Sequence, residues 1–300
     1  MKEQKDVRLF APPYLAGIFG YNIKYSLSPL IHGSLNKLLD ANLCYGMFDV
    51  PPEKFAAAFN GFKALGMKGA NITQPYKTEV LKHMPSLSAE AETIGAVNTV
   101  NLEEDGNYRG YNTDITGFAS AVNYEFKENL NGVSVILLGA GGASRAVLYA
   151  LIKYGAKDIL IINRSANNAD KLKKEACLWK TSLKSDAGIE SCDFNSVAAL
   201  KNILSKEWDI IVNTVTPSAE SGRLINNLFA GLKKFKGGFF LFDISYSSES
   251  SGFLNVLEEK SLKRANGLSM LLFQAVESFY IWTGKRADFK VIMEVLSGIF

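Results

Sequence analysis

The 300-residue sequence predicts an α/β protein of two domains, an N-terminal unit with a mainly parallel sheet followed by a Rossmann-type unit. Three observations carry this expectation. Strand-like and helix-like patterns alternate between residues 15 and 72, and again from residue 133. A glycine turn, "GAGGAS" (139–144), joins an apolar strand to a helix. Polar clusters fall where strands end.

In the first alternation "LAGIFG" (15–20) reads as a strand and "PLIHGSLNKLLD" (29–40) as a helix opening on Pro29. "CYGMFDV" (44–50) is a second strand, "EKFAAAFNGFKAL" (53–65) a second helix and "MKGANI" (67–72) a third strand. This βαβαβ order implies parallel pairing with right-handed crossovers. "AVNTVNLEEDGNYRGY" (96–111) sets two β-like runs about the turn residues Glu104 to Asn107, a hairpin. "ITGFASAVNYEF" (115–126) reads as a helix joining the two units. In the second alternation, "VSVILLGA" from residue 133 has the continuous apolar run of a strand buried on both faces. "SRAVLYALIKYG" (144–155) follows as a helix closed by Gly155. "DILIIN" (158–163), "DIIVN" (209–213) and "GGFFLFDIS" (237–245) are further strands, and 271–282 and 288–297 read as helices. Residues 177–196 have no clear period and stay unassigned.

A 47% hydrophobic content with 21% charge suits substantial cores, and the net charge of +3 is small. No basic stripe with interleaved aromatics points to nucleic acid. The longest apolar runs are strand-sized, so no membrane association is expected. "MKEQKDVRLFAPPYLAG" has no continuous apolar core of signal-peptide length. Cys44, Cys177 and Cys192 lie far apart, and His32 and His83 are the only histidines. That usage suits free thiols in a reducing cytoplasm, and no metal site is expected.

Gly139 permits the tight turn of the glycine loop, while Gly141 and Gly142 let backbone approach a pyrophosphate. The helix from Ser144 would aim its N–H groups at that anion, although the third glycine position of the motif is Ser144 itself. The next strand ends in Asn163, Arg164 and Ser165, where a fold built for NAD offers a carboxylate. A carboxylate would repel a ribose 2′-phosphate, whereas a guanidinium with two small polar neighbours would hold one. NADP is therefore expected over NAD, with Arg164 as an ordinary surface residue the bland alternative.

"NITQPYK" runs a strand into Asn71, Thr73, Pro75 and Lys77, and Pro75 turns the chain. Ser26 and Ser28 in "YSLSP", Asn98 in "GAVNT", and Asn112, Thr113 and Asp114 in "GYNTD" form similar clusters. Singly, each has an ordinary explanation as a solvated lysine, a turn residue or a helix cap. Jointly they occupy strand-to-next-element junctions of one unit, where open α/β sheets bind ligands. Asn71 is left open between holding backbone and holding ligand.

These segments, with "LLGAGGASRA", "INRS", "FDISY" and "NGLSMLLFQAVESFYIWTG", resemble in order those of the shikimate dehydrogenase family from residue 26 to residue 284. The resemblance implies a discontinuous substrate domain (1–114 plus 267–300), a Rossmann-type domain (115–266) and a cleft between them. It implies NADP-dependent, reversible reduction of 3-dehydroshikimate to shikimate in aromatic amino-acid biosynthesis. It makes Lys77 and Asp114 the catalytic pair, and gives Ser26 and Ser28 the substrate carboxylate, with Tyr246 nearby. Thr73, Asn98, Lys77 and Asp114 would bind the ring hydroxyls, and Gln274 would close the pocket. For the cofactor it implies the loop Gly139, Ala140, Gly141, Gly142 and Ala143, then Asn163, Arg164 and Ser165. Thr214, Ile244, Gly267 and Met270 complete that set. The expected partner is the small-molecule substrate, and the chain a monomer or homodimer.

Some positions depart from the family pattern. Ile115 stands where the family often has Gly, Val215 in "NTVTPS" where Thr is usual, and Asn168 where a second basic residue often lies. Lys171 is a candidate substitute for that base. Two rivals stay open: an NAD-using quinate/shikimate dehydrogenase, and a shikimate sensor without turnover. The presence of both Lys77 and Asp114 speaks against the sensor.

Overall fold

The computed structural model describes residues 13–194, 206–215, 218, 222–223, 238–246 and 261–298. Two six-stranded sheets organise them. The first contains β1 (Tyr14–Gly20), β2 (Leu43–Asp49), β3 (Gly69–Ile72), β4 (Ser86–Leu87), β5 (Thr99–Leu102) and β6 (Tyr108–Tyr111), in the order β2-β1-β3-β5-β6-β4. β1 pairs in parallel with β2 and β3, as the βαβαβ pattern requires. The β5–β6 hairpin is antiparallel, and β5 also joins β3 antiparallel, so this sheet is mixed on one side. The hairpin turn closes through the Glu103 N–H to the Asn107 carbonyl at 2.9 Å.

Helices α1 (Ser28–Leu39) and α2 (Phe55–Ala64) make the crossovers. α2 buries Phe55, Phe59 and Phe62, spaced to share one helix face, with Phe19 and Tyr76. The prolines at 51 and 52 hold the preceding residues in a separate 3-10 turn, so α2 begins two residues later than the sequence pattern suggests. β4 and α3 (Ala89–Ile94) were not predicted. Six residues give too little periodic signal, although Ser88 caps α3 by accepting the Ala91 N–H at 3.2 Å.

The second sheet is parallel throughout: β7 (Ser134–Leu138), β8 (Asp158–Asn163), β9 (Gly188–Asp193), β10 (Ile210–Asn213), β11 (Phe239–Asp243) and β12 (Ser261–Ala265). Its order, β12-β11-β10-β7-β8-β9, reverses between β7 and β10. That switch point is where doubly wound sheets open a crevice. α5 (Gly142–Lys153) and α6 (Ala166–Leu183) connect β7, β8 and β9. The unassigned stretch 177–196 thus contains the end of α6 and all of β9, an edge strand whose half-buried residues erase the alternation.

α4 (Asp114–Phe126) leads from the first sheet to the second, and α7 (Leu268–Thr283) leads back. They cross tightly at Gly117, where an added Cβ would lie 2.8 Å from Gln274 Cβ and 3.0 Å from its backbone nitrogen. Leu272, Ala275, Phe279 and Trp282 of α7 pack with Ala16, Ile31, Leu35 and Leu43 of the first sheet and its helix. α8 (Phe289–Ser297) joins that core through Ile292 and Val295. Among the described residues no helix is long and apolar enough to cross a membrane.

Candidate active site

Lys77 is carried by a short segment fixed on several sides. The Thr73 N–H bonds the Phe19 carbonyl at 2.9 Å, and the Tyr76 N–H bonds the Thr73 carbonyl at 2.9 Å across a cis Gln74–Pro75 peptide. Tyr76 is buried and stacks on Phe55 with ring centroids 4.1 Å apart. The Lys77 carbonyl accepts from the Val97 N–H at 2.8 Å. A mostly buried ammonium results, and Lys77 Nζ donates to Asp114 Oδ2 at 2.6 Å.

Asp114 opens α4, where the helix dipole favours a carboxylate. Its Oδ1 accepts from Asn98 Nδ2 at 2.8 Å, so each carboxylate oxygen has a partner. Thr113 directly precedes the helix but its side chain makes no capping bond. Its hydroxyl lies instead among Thr99 Oγ1 at 3.2 Å, Ser278 Oγ at 3.2 Å and the Asn98 amide. Gln274 Oε1 reaches Asn98 Nδ2 and Thr113 Oγ1, each at 3.4 Å. Below this layer His32 is fully buried, and desolvation lowers its pKa to about 3.

The opposing wall is built on the glycine loop. Gly139 has φ +112° and an added Cβ there would meet Thr214 Oγ1 at 2.5 Å, so only glycine fits. α5 begins at Gly142, two residues before the position read from the sequence. The reason is Ser144, whose hydroxyl reaches back to accept the Gly141 N–H at 2.9 Å and meets Thr214 Oγ1 at 2.6 Å. An added Cβ at Gly142 would stand 4.0 Å from Lys77 Cβ, so the loop faces the lysine directly. At the end of β11, Asp243 is fully buried, and desolvation raises its carboxyl pKa to about 6. Its Oδ1 accepts the Ser245 N–H at 2.9 Å, which holds the segment carrying Ile244 and Tyr246.

Between the walls lies a cavity of about 280 Å³. From the first side Thr73, Lys77, Asn98 and Asp114 line it, and Gln274 does so from α7. From the other side come Ala143, Thr214, Ile244, Tyr246, Gly267 and Met270. Apart from Asn71, the remaining residues singled out in the sequence do not line it. Ser28 is buried and accepts from the Ser26 hydroxyl at 3.2 Å. Ser26 also lies near the Tyr246 hydroxyl. Ala140 packs on the core beneath its loop. Asn163, Arg164 and Ser165 cluster at the end of β8, with Arg164 exposed and the Ser165 hydroxyl capping α6. Asn71, Ile72, Gln74, Ser245 and Leu271 also line the cavity. Of these, only Asn71 was singled out in the sequence.

These residues fit a dinucleotide bearing a 2′-phosphate. Space is open above Gly141, the helix start at Gly142 is turned to the cleft, and the end of β8 carries a guanidinium and no carboxylate. Among the described residues no three His, Cys, Asp or Glu side chains gather as metal ligands.

Fold and site together define a two-domain α/β dehydrogenase, with a glycine-turned βα junction facing a lysine–carboxylate pair. The sequence matches the shikimate dehydrogenase substrate binding domain over residues 18–100. It matches the shikimate/quinate 5-dehydrogenase family over 121–246 and the shikimate 5′-dehydrogenase C-terminal domain over 267–296. The shikimate dehydrogenase (NADP(+)) of Caldanaerobacter subterraneus subsp. tengcongensis is 38% identical over 94% of this chain and 96% of its own. The chain belongs to the shikimate dehydrogenase family. Shikimate dehydrogenase from Aquifex aeolicus superposes with a TM-score of 0.76 at 33% identity, covering 95% of this chain and 97% of that one. Shikimate 5-dehydrogenase from Listeria monocytogenes, solved with shikimate and NAD, superposes at 0.82 with 28% identity, covering 96% and 98%.

Proposed function

We propose that the protein catalyses the reversible, NADP-dependent reduction of 3-dehydroshikimate to shikimate in the cytoplasm. The observation that carries this reading is the Lys77–Asp114 pair, 2.6 Å apart in a cavity whose opposite wall includes Ala143 of the glycine loop. Hydride transfer to and from the ring carbon is the chemistry NADP supplies when bound. The chain's own residues handle the proton. As the ketone oxygen gains charge, Lys77 Nζ gives it a proton; in the reverse direction the neutral amine takes the hydroxyl proton. Asp114 orients the ammonium through the contact at Oδ2. Asn98 holds the other oxygen of that carboxylate, which keeps it aimed at Lys77.

Thr73, Asn98 and Gln274 have the donors and acceptors to bind ring hydroxyls, and Ser26, Ser28 and Tyr246 to bind the substrate carboxylate. Arg164, with Asn163 and Ser165, would hold the 2′-phosphate, and the loop from Gly139 to Ala143 the pyrophosphate. Thr214, Ile244, Gly267 and Met270 form the remaining cofactor wall. The domain division that fits this work is 1–114 plus 267–300 for substrate and 115–266 for cofactor, in a monomer or homodimer. Initial rates with shikimate and with quinate, each against NADP⁺ and NAD⁺, test the assignment. Fastest turnover with shikimate and NADP⁺ is expected, and turnover confined to quinate or to NAD⁺ would refute it.

A further inference from the structure

Asn71 has no part in the chemistry above, yet its amide is used on both faces. Oδ1 accepts from the Tyr45 hydroxyl at 2.7 Å and from His32 at 3.1 Å. Because Oδ1 is an acceptor, His32 carries its hydrogen on Nε2. His32 Nδ1 is buried without a partner among the described residues. Nδ2, with two hydrogens, lies within reach of three oxygens: the Asn98 carbonyl at 3.3 Å, Thr99 Oγ1 at 3.3 Å and Ser278 Oγ at 3.1 Å.

Each face of this amide leads to a different end of the pocket. On the Oδ1 side, the Tyr45 hydroxyl lies beside Ser28, and Ser28 accepts from the Ser26 hydroxyl. On the Nδ2 side, Thr99 Oγ1 bonds Asn98 Oδ1 at 3.0 Å, and Ser278 Oγ lies 2.8 Å from Thr99 Oγ1. Asn98 Nδ2 in turn holds Asp114 Oδ1. In a buried polar network, removing one member leaves its partners unsatisfied. An aspartate here would keep the acceptor face and lose the donor face; an aliphatic residue would lose both.

We propose that Asn71 is a positioning residue that couples the serines at the carboxylate end of the substrate pocket to the Lys77–Asp114 pair. This role rests on the shikimate dehydrogenase reading. The two arms of the coupling can be cut without touching Asn71, by Tyr45→Phe and by Ser278→Ala. Tyr45→Phe should raise KM for shikimate by about fivefold and change kcat little, while Ser278→Ala should lower kcat by about fivefold. Combined, the two changes should alter kcat/KM by a factor at least about threefold away from the product of the single effects. Asn71→Asp should keep KM near that of the wild type and lower kcat, because only the donor face is lost.

The experiment is steady-state kinetics of shikimate oxidation by NADP⁺ for the wild type, both single variants, the double variant and Asn71→Asp. Coupling between the distant pair, with the KM and kcat effects split as above, supports the role. Single effects that simply multiply, in an active wild type, overturn it; the Tyr45–Ser278 cycle decides between these outcomes even where Asn71→Asp does not fold. A wild type that does not oxidise shikimate overturns the function itself, a result distinct from loss of coupling.

Discussion

Lys77 and Asp114 are 37 residues apart in sequence, yet Lys77 Nζ lies 2.6 Å from Asp114 Oδ2. One sits after β3 and the other at the first residue of α4, and Asn98, between them in sequence, holds the second oxygen of the carboxylate. Asp114→Asn keeps the size of the side chain and its contact with Asn98 but removes the charge that orients the ammonium. Steady-state rates should show kcat reduced by about a hundredfold, with the KM for NADP⁺ nearly unchanged.

Cofactor choice should depend on Arg164. Removing a charge-assisted contact to a phosphate weakens binding by about tenfold or more. Arg164→Ala should therefore raise KM for NADP⁺ by that factor and leave KM for NAD⁺ within about twofold. Equal effects on the two cofactors would refute a 2′-phosphate clamp.

The crossing of α4 and α7 depends on Gly117, because an added methyl group would press on the Gln274 backbone and Cβ. Gly117→Ala should destabilise the protein by about 1–3 kcal/mol. It should also raise KM for shikimate, since Gln274 lines the cavity. Chemical denaturation read beside kinetics checks both effects, and a fully stable variant with unchanged KM would show that the helices separate freely.

Two buried groups make opposite contributions to the pH dependence of stability. His32 has a pKa of about 3 when folded, below its unfolded value, so the unfolded chain binds more protons and stability falls as pH drops from about 6.5 towards 3. Asp243 has a pKa of about 6 when folded, above its unfolded value, so its contribution is present at low pH and is lost as pH rises from about 4 to 6. Between about pH 4 and 6 the two slopes oppose each other. Urea midpoints across that window should fall more steeply on acidification in Asp243→Asn, and less steeply in His32→Gln. Parallel curves for all three proteins would mean that neither group titrates as described.

Much of this molecule can be read from its sequence because its signals are local. Apolar runs mark β7 and β8, the Glu104–Asn107 turn marks the hairpin, and the glycine loop marks the start of α5 to within two residues. The missed elements had weak local signals. β4 and α3 are very short, β9 and β12 are edge strands with charged residues, and α6 exposes most of its surface. The polar residues named around the cleft were legible as strand-end clusters, but their connections were not. Asn71 meets Tyr45, Asn98 and Ser278 at separations of 26, 27 and 207 residues, and no local pattern encodes such a junction. The same holds for the contact of the Ser144 hydroxyl with Thr214 Oγ1, 70 residues on.

The central claim is that Lys77 transfers the proton while the rest of the pocket binds the substrate. Its most direct measurement compares the wild type with Lys77→Ala, reading NADPH formation from shikimate and NADP⁺ together with calorimetric binding of shikimate. The account predicts an active wild type and a variant whose kcat is lower by about a hundredfold to ten-thousandfold, with shikimate still bound. A variant that turns over at the wild-type rate, or a wild type that binds shikimate and never oxidises it, would contradict the account.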